Sequence, residues 1–456
     1  MTDRIKRKEF LHYMHCGHGR CFQFLQSAQD RELFRDLVLD GCLHPFAFDL
    51  QCEGSRGEFM YRLASVYQDF DYFLQPVTEK FLHPDTNDNW HLLTHMCDFI
   101  AASDDPAYFQ ILEQKYQDLY QQIMTIRWSA HANEIVQCYE YLSIVVMQGS
   151  EFDRTIRIFQ DIGAYFLRRR RADPKNLFWL FGWFLNCAEE KFGENLLSDL
   201  FASEKSKEMR CFVRIMHRKQ EFIGKLADKP KFSADEFQQK ADAGQISRRD
   251  VAIFRRSDPD QTEHLRLAER FIEEKDPNKK ANLLQAFTIS RCGFPLNPDI
   301  LAECAESEYL ALRDTATEAL LYVHSEKAHA LAIRHLKREY SQLFLQLLIH
   351  HYQPDDKELV LNCLRNLQID FENESGWHNI VMEILENRKI LPDEVILFVY
   401  EKSMCSCCRE TAVSEMIRRN LITEQILEEC LQDCNSDIRE LAENFRTSQS
   451  VSYQSF

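Results

Sequence analysis

Glycine is the residue this chain largely does without: only 13 occur among 456 positions, where average usage of about 7% would place roughly 32. Phosphate-cradling loops and tight hairpin turns both lean on residues that tolerate positive φ. Their scarcity therefore argues against nucleotide-binding α/β folds and β-sandwiches alike. Helices joined by short turns remain, and the proline punctuation agrees. Asp173-Pro174, Asp258-Pro259, Asp276-Pro277 and Asn297-Pro298 each set a capping side chain directly before a proline suited to the first helical position.

Apolar residues recur at three- and four-residue spacing in Glu58 to Ala64, Trp90 to Cys97, Glu134 to Leu142 and Arg154 to Phe159, as they do on one face of a helix. From these we expect an irregular, aromatic-rich amino-terminal run of helical hairpins over residues 1–225. Residues 226–250 are polar, contain Lys229-Pro230-Lys231 and Gly244, and are expected to be a linker or hinge. Short amphipathic helices then follow over 251–446, none able to bury its stripe alone. The Ser/Gln-rich tail 447–456 is expected to be disordered. The run Leu177 to Leu185 is apolar on every side, which predicts a helix buried on every side. At nine residues it is well short of the roughly 18 needed to span a bilayer.

A short kernel repeats. Leu312-Arg313-Asp-Thr-Ala316 returns as Cys408-Arg409-Glu-Thr-Ala412 and again as Ile438-Arg439-Glu-Leu-Ala442. In each copy a polar turn precedes a helix on which Ala packs against a neighbour while Arg reaches back across the turn, with Asp437 beside Arg439 as the clearest instance. The kernel resembles the second helix of a HEAT repeat, the hairpin unit of armadillo-type solenoids. That resemblance implies an all-α fold, a right-handed α-α superhelix of stacked hairpins, and recognition of another macromolecule by a curved surface. It names no reaction.

The formal charge is −17, unevenly spread. Residues 205–256 hold 14 Lys/Arg against 7 Asp/Glu, whereas 370–444 hold 17 acids against 7 bases. Arg168, Arg169, Arg170 and Arg171 form a basic run upstream, and Arg248, Arg249, Arg255 and Arg256 flank one short helical pattern. Two readings stand. Either these are solvated faces answered by acids of the same chain, or they form a stripe that binds a partner.

Chemistry-bearing clusters are sparse in pattern. His12, His15, Cys16, His18 and Cys21 lie close together, but their spacing matches no zinc-finger arrangement, so they read as packing or capping residues in preference to a metal site. Gly41 to Gly57 breaks helical periodicity and carries His44, Asp49, Glu53 and Arg56. It is either a pocket with His44 as acid or base, or a turn in which Arg56 pairs with Asp49 or Glu53. Sixteen cysteines behind a charged amino terminus suit free thiols in a reducing cytoplasm.

These features predict a cytoplasmic, non-catalytic scaffold that presents a solenoid surface to a protein partner, with no cofactor, no metal and no membrane contact. The alternatives are nucleic-acid recognition through the basic stretch 168–256, which the negative total charge disfavours, and an enzyme built around 41–57.

Overall fold

Capping chemistry sets a number of the helix starts in the computed structural model. Ser27 accepts from Asp30 N and Asn89 from Leu92 N. Ser233, Ser247 and Asp260 each complete a reciprocal capping box with the acid three residues on. Asp276 caps the helix that Pro277 opens, as the sequence predicts, whereas Asp258-Pro259 falls outside the described residues. The structure describes residues 2–453 except 48–52, 86–88, 104, 127–129, 170–173, 217–231, 258–259, 289–292, 339–340, 367–375 and 389–390. For 28, 130–132, 174–180, 387–388 and 450–453 it describes the backbone only. Among the described residues every regular element is helical and no strand occurs, so the fold is all-α. None of the described helices is long and apolar enough to cross a membrane.

Two units divide the chain. The first holds 1–227 together with 404–407 and 423–456; the second holds 228–403 and 408–422. In the first, α1 (Asp3–Cys16), α2 (Cys21–Phe24), α3 (Ala28–Leu43), α4 (Gly57–Ala64), α5 (Asp71–Leu82), α6 (Trp90–Ala101), α7 (Pro106–Thr125), α8 (Ala130–Gln148), α9 (Phe152–Arg168), α10 (Pro174–Phe192), α11 (Glu194–Ser203) and α12 (Lys207–Met216) follow one another. They pack in two files. Helices α4, α6, α8 and α10 pack each against the next in one file, α3, α5, α7 and α9 in the other, and neighbours in sequence join the files. Aromatic rings fill the space between, with Phe159 against Phe184, Phe201 and Phe212. Helices α9 and α12 approach so closely at Gly163 that a Cβ there would lie 2.1 Å from the Glu208 carbonyl oxygen, a contact only glycine permits.

The second unit runs through α13 (Ala234–Asp242), α14 (Arg248–Arg256), α15 (Gln261–Glu273), α16 (Pro277–Leu284), α17 (Asp299–Cys304), α18 (Leu310–Leu320), α19 (Glu326–Leu336), α20 (Gln342–His351), α21 (Lys357–Arg365), α22 (Trp377–Arg388), α23 (Asp393–Lys402) and most of α24 (Ser406–Arg418). Here too α16, α18, α20 and α22 stack in one file and α17, α19, α21 and α23 in the other. Such alternation is compatible with a solenoid of hairpins.

The segment 226–250, expected as a linker or hinge, contains α13 and the start of α14, whose first turns Ser233 and Ser247 cap. The carboxy-terminal end does not simply continue the second unit. α25 (Glu424–Leu431) and α26 (Ser436–Tyr453) belong with the amino-terminal helices. Cys434 N donates to Gly17 O at 2.9 Å, and Arg20 pairs with the buried Glu429 at 2.8 Å. Helix α26 also carries residues 447–453 of the expected disordered tail, by continuing its own backbone ladder.

The kernel alanines Ala316, Ala412 and Ala442 are all buried. Arg409 donates to Ser403 O at 3.2 Å and Arg439 to Asp433 O at 2.9 Å, each reaching back to the carbonyl six residues earlier from the fourth position of its helix. Arg313 departs from this geometry. The turn before α18 is longer, and the guanidinium pairs at 3.5 Å with the adjacent Asp314. Asp437 is exposed in the first turn of α26, and the capping oxygen there is Asn435 Oδ1, which accepts from Asp437 N at 2.8 Å.

The apolar run of α10 is not buried on every side. Phe181 and Phe184 are fully buried, whereas Trp183 is 52% exposed; the side chains of Phe178 and Trp179 lie outside the described set. Helix α10 packs on α8 and α12, and Trp183, though its ring tilts over Tyr141 of α8, is left half-exposed. Phe184→Ala should therefore cost about 3–5 kcal/mol, while Trp183→Ala should cost less than about 1 kcal/mol. Urea denaturation of the two variants checks this; equal losses would contradict the packing.

Candidate functional site

The Gly41 to Gly57 segment resolves into separate parts. His44 ends α3, is half-exposed, and its Nδ1 lies 2.9 Å from Asp40 Oδ1 one turn back. Glu53 and Arg56 instead form a buried pair at 2.9 Å, both side chains only 2% exposed. Asp49 lies outside the described residues. Arg56 also donates to Cys16 O at 2.8 Å and to Met404 O at 3.3 Å, and Glu53 accepts from Ser406 N. The segment thus acts as a turn locked by an ion pair. His44 is excluded from that pair because helix α3 directs it to Asp40.

The amino-terminal histidines and cysteines are each engaged individually. Cys21 Sγ faces Phe10 O at 3.9 Å, and His18 Nδ1 accepts from Arg20 N at 3.1 Å. Cys16 Sγ lies 3.7 Å from His12 Nε2 and 3.3 Å from Met404 Sδ. His15 tilts against Phe46 at 4.2 Å, and burial lowers its imidazole to about 4. These contacts are those of packing residues.

Of the basic run, Arg168 is exposed, Arg169 donates to Ile126 O at 2.5 Å, and Arg170 and Arg171 lie outside the described residues. In the second unit Arg248, Arg249, Arg255 and Arg256 are all exposed on α14. Acidic and aromatic groups interrupt them. Burial raises the Glu318 carboxyl while Arg248 lowers it, and burial raises the Tyr322 phenol while Arg255 lowers it.

A further candidate site lies elsewhere, on the file α4, α6, α8, α10. A pocket of about 540 Å³ crosses all four helices. Glu58, Tyr61 and Arg62 come from α4, Asp98 from α6, Tyr141 from α8, and Trp183 with Cys187 from α10. The repeated spacing of three and four residues is why each helix turns one face to the same space. Asp98 is recessed at its base and accepts from the Ser55 hydroxyl and from Tyr141 Oη, the latter at 2.5 Å. Burial pushes its carboxyl up to about 6 against those two donors. Trp183 tilts over Tyr141 with ring centroids 5.8 Å apart. Behind this wall Glu140 is buried with Oε1 unpartnered among the described residues, and burial raises its carboxyl to about 8.

Sequence reasoning did not single out this pocket, although a signal existed: Asp98 is the only Asp, Glu, Lys or Arg in Trp90–Ala101. A lone acid in an otherwise apolar helix marks either a buried polar contact or a site.

No protein-family model and no curated protein matches this chain. Among solved structures, the crystal structure of an engineered protein aligns over 98% of this chain and 98% of its own, at 10% identity and a TM-score of 0.29. So loose a likeness carries no argument about function.

Glu140 gives the site a pH signature. Its folded carboxyl titrates at about 8 against an ordinary 4.5. A raised folded value stabilises fully below the unfolded one and is lost as pH rises through the folded one, so the contribution of Glu140 to stability should fall between about pH 5 and pH 8. Glu140→Gln should remove that fall and exceed the parent chain by about 2–4 kcal/mol near pH 8. Thermal unfolding across this range measures it, and parallel pH profiles for the two proteins would contradict the assignment.

Proposed function

We propose that this chain is a non-catalytic scaffold of the HEAT-like kind, a right-handed stack of hairpins working in the cytoplasm, whose α4, α6, α8, α10 face receives a protein partner. One observation carries the reading: the pocket spans four successive helices of a single file, the surface a stacked-hairpin architecture leaves open because each unit is occupied only with its neighbours. An exposed tryptophan beside tyrosines supports a protein partner, since Trp, Tyr and Arg dominate interface energetics. Free thiols throughout the described cysteines suit a reducing compartment.

The exposed arginines of α14 are the strongest support for nucleic acid, yet Glu318 and Tyr322 beside them make a mixed surface instead of a phosphate track. Two arms test the proposal. Copurification from the native host should retain proteins on the parent chain and lose them on Val145→Arg, which places a charge on the pocket wall. Titration of labelled DNA and RNA at about 50 and about 200 mM salt should give no submicromolar binding at the higher salt. Tight binding there, abolished when Arg248, Arg249, Arg255 and Arg256 are changed together to Ala, would overturn the scaffold reading in favour of nucleic-acid recognition.

A further inference from the structure

Asp98 has two hydroxyl donors and, among the described residues, no cation. The nearby carboxylate of Glu58 opposes its ionisation, and the neighbouring positive charges are committed elsewhere. Arg439 pairs with Glu58 at 3.1 Å, and Arg62 lies 3.7 Å from Glu58. The Arg62 guanidinium is further drawn away from Asp98 by Asp433 O at 2.8 Å and by the faces of Phe22 and Phe59. What remains at the pocket base is a recessed carboxylate without a counter-charge. A recessed charge of this kind is costly unless paired. Above it stand aromatic faces, Tyr141 and the exposed Trp183, whose negative quadrupoles attract a cation and whose rings cover an apolar stem.

We propose that this pocket holds the ammonium group of a lysine side chain presented by a basic segment of a protein partner. The inference rests on the scaffold reading above and names the chemistry of its partner. Lysine fits better than arginine because both carboxylate oxygens of Asp98 already accept a hydroxyl, from Ser55 and from Tyr141. A guanidinium fork needs two parallel acceptor positions that these donors contest, whereas a compact ammonium needs one approach to the carboxylate edge. The four-carbon stem then lies along Trp183 and Tyr141. A chain of net charge −17 draws a basic segment towards itself in general.

The test uses ligand-observed NMR titration of the full chain at low salt, with three synthetic peptides, acetyl-Gly-Lys-Gly-amide and its norleucine and arginine counterparts, and with n-butylammonium chloride. The lysine peptide should bind at least about tenfold more tightly than each of the other two peptides and than n-butylammonium. Asp98→Asn should remove that preference. Trp183→Ala should weaken binding by about tenfold, and because Trp183 is half-exposed this variant should keep the parent melting temperature, which separates lost binding from lost folding. Equal affinity for lysine and norleucine peptides, or a Trp183→Ala variant that binds as the parent does, overturns the proposal. Equal affinity for n-butylammonium and the lysine peptide overturns it too, in favour of a free amine. If Val145→Arg loses partner proteins while no lysine preference exists, this inference fails and the scaffold reading stands. If the lysine preference holds but no partner depends on the Val145 surface, the scaffold reading fails and the cation site stands.

Discussion

The buried Arg56–Glu53 pair organises the first unit. One guanidinium serves its own turn through Glu53, the end of α1 through Cys16 O, and the carboxy-terminal part of the chain through Met404 O. Cys434 Sγ lies 2.6 Å from Nη1, the nitrogen that donates to Cys16 O, while Nη2 serves Glu53 and Met404 O. Two charges removed from water repay their desolvation only when nearly every donor and acceptor is met. Here two backbone carbonyls and one backbone amide, contributed by segments far apart in sequence, serve the pair. The consequence is that residues 404–407 cannot leave without stripping the pair of Met404 O and Ser406 N, and removing either charged partner of a buried pair of this kind costs about 3–5 kcal/mol. Arg20 with Glu429 and Arg439 with Glu58 extend the same join at less buried positions.

That join also bears on the pocket. Glu58 lies on its rim, and the pairing of Glu58 with Arg439 of α26 fixes a carboxylate that would otherwise compete with Asp98 for any incoming cation. Arg62, another lining residue, is anchored by the turn between α25 and α26 through Asp433 O. The carboxy-terminal helices therefore set the electrostatics of a surface built from α4, α6, α8 and α10, without contributing a lining residue themselves.

How much of this was legible in the sequence depends on the range of the interaction. The kernels state local facts: Ala412 and Ala442 pack at fixed helical positions, and Arg409 and Arg439 reach carbonyls six residues back, so spacing alone finds them. Asn435, two residues before Asp437, takes the cap because an N-cap side chain must reach the free amides of the first turn, a distinction composition does not make. Trp183 and Phe184 are adjacent aromatics in one apolar run, yet opposite in burial, since only the packing of α8 and α12 decides which side of α10 is inside. For Arg56 the short-range half was legible, since Glu53 lies three residues away and the turn pairing follows from spacing. Its other partners are backbone carbonyls 40 and 348 residues away, and a carbonyl has no residue identity to read.

Asp98 and Glu140 show how one file of helices can hold two carboxyls in different charge states. Asp98 accepts from two hydroxyls, which favour its ionised form and limit the effect of burial, leaving it at about 6 and charged at neutral pH. Glu140 has an oxygen without a donor among the described residues, so burial acts nearly unopposed and holds it neutral up to about 8. Had both been ionised, the wall between α8 and α10 would carry a second uncompensated charge and would need its own counterion or water. With Glu140 protonated, the wall behind Trp183 stays electrically quiet, so the charge at the pocket base is that of Asp98, while Glu58 and Arg62 at the rim are engaged by Arg439 and by Asp433 O. A ligand that answers Asp98 is then selected by length as well as by sign, because a cation must bring an apolar stem long enough to reach the charge.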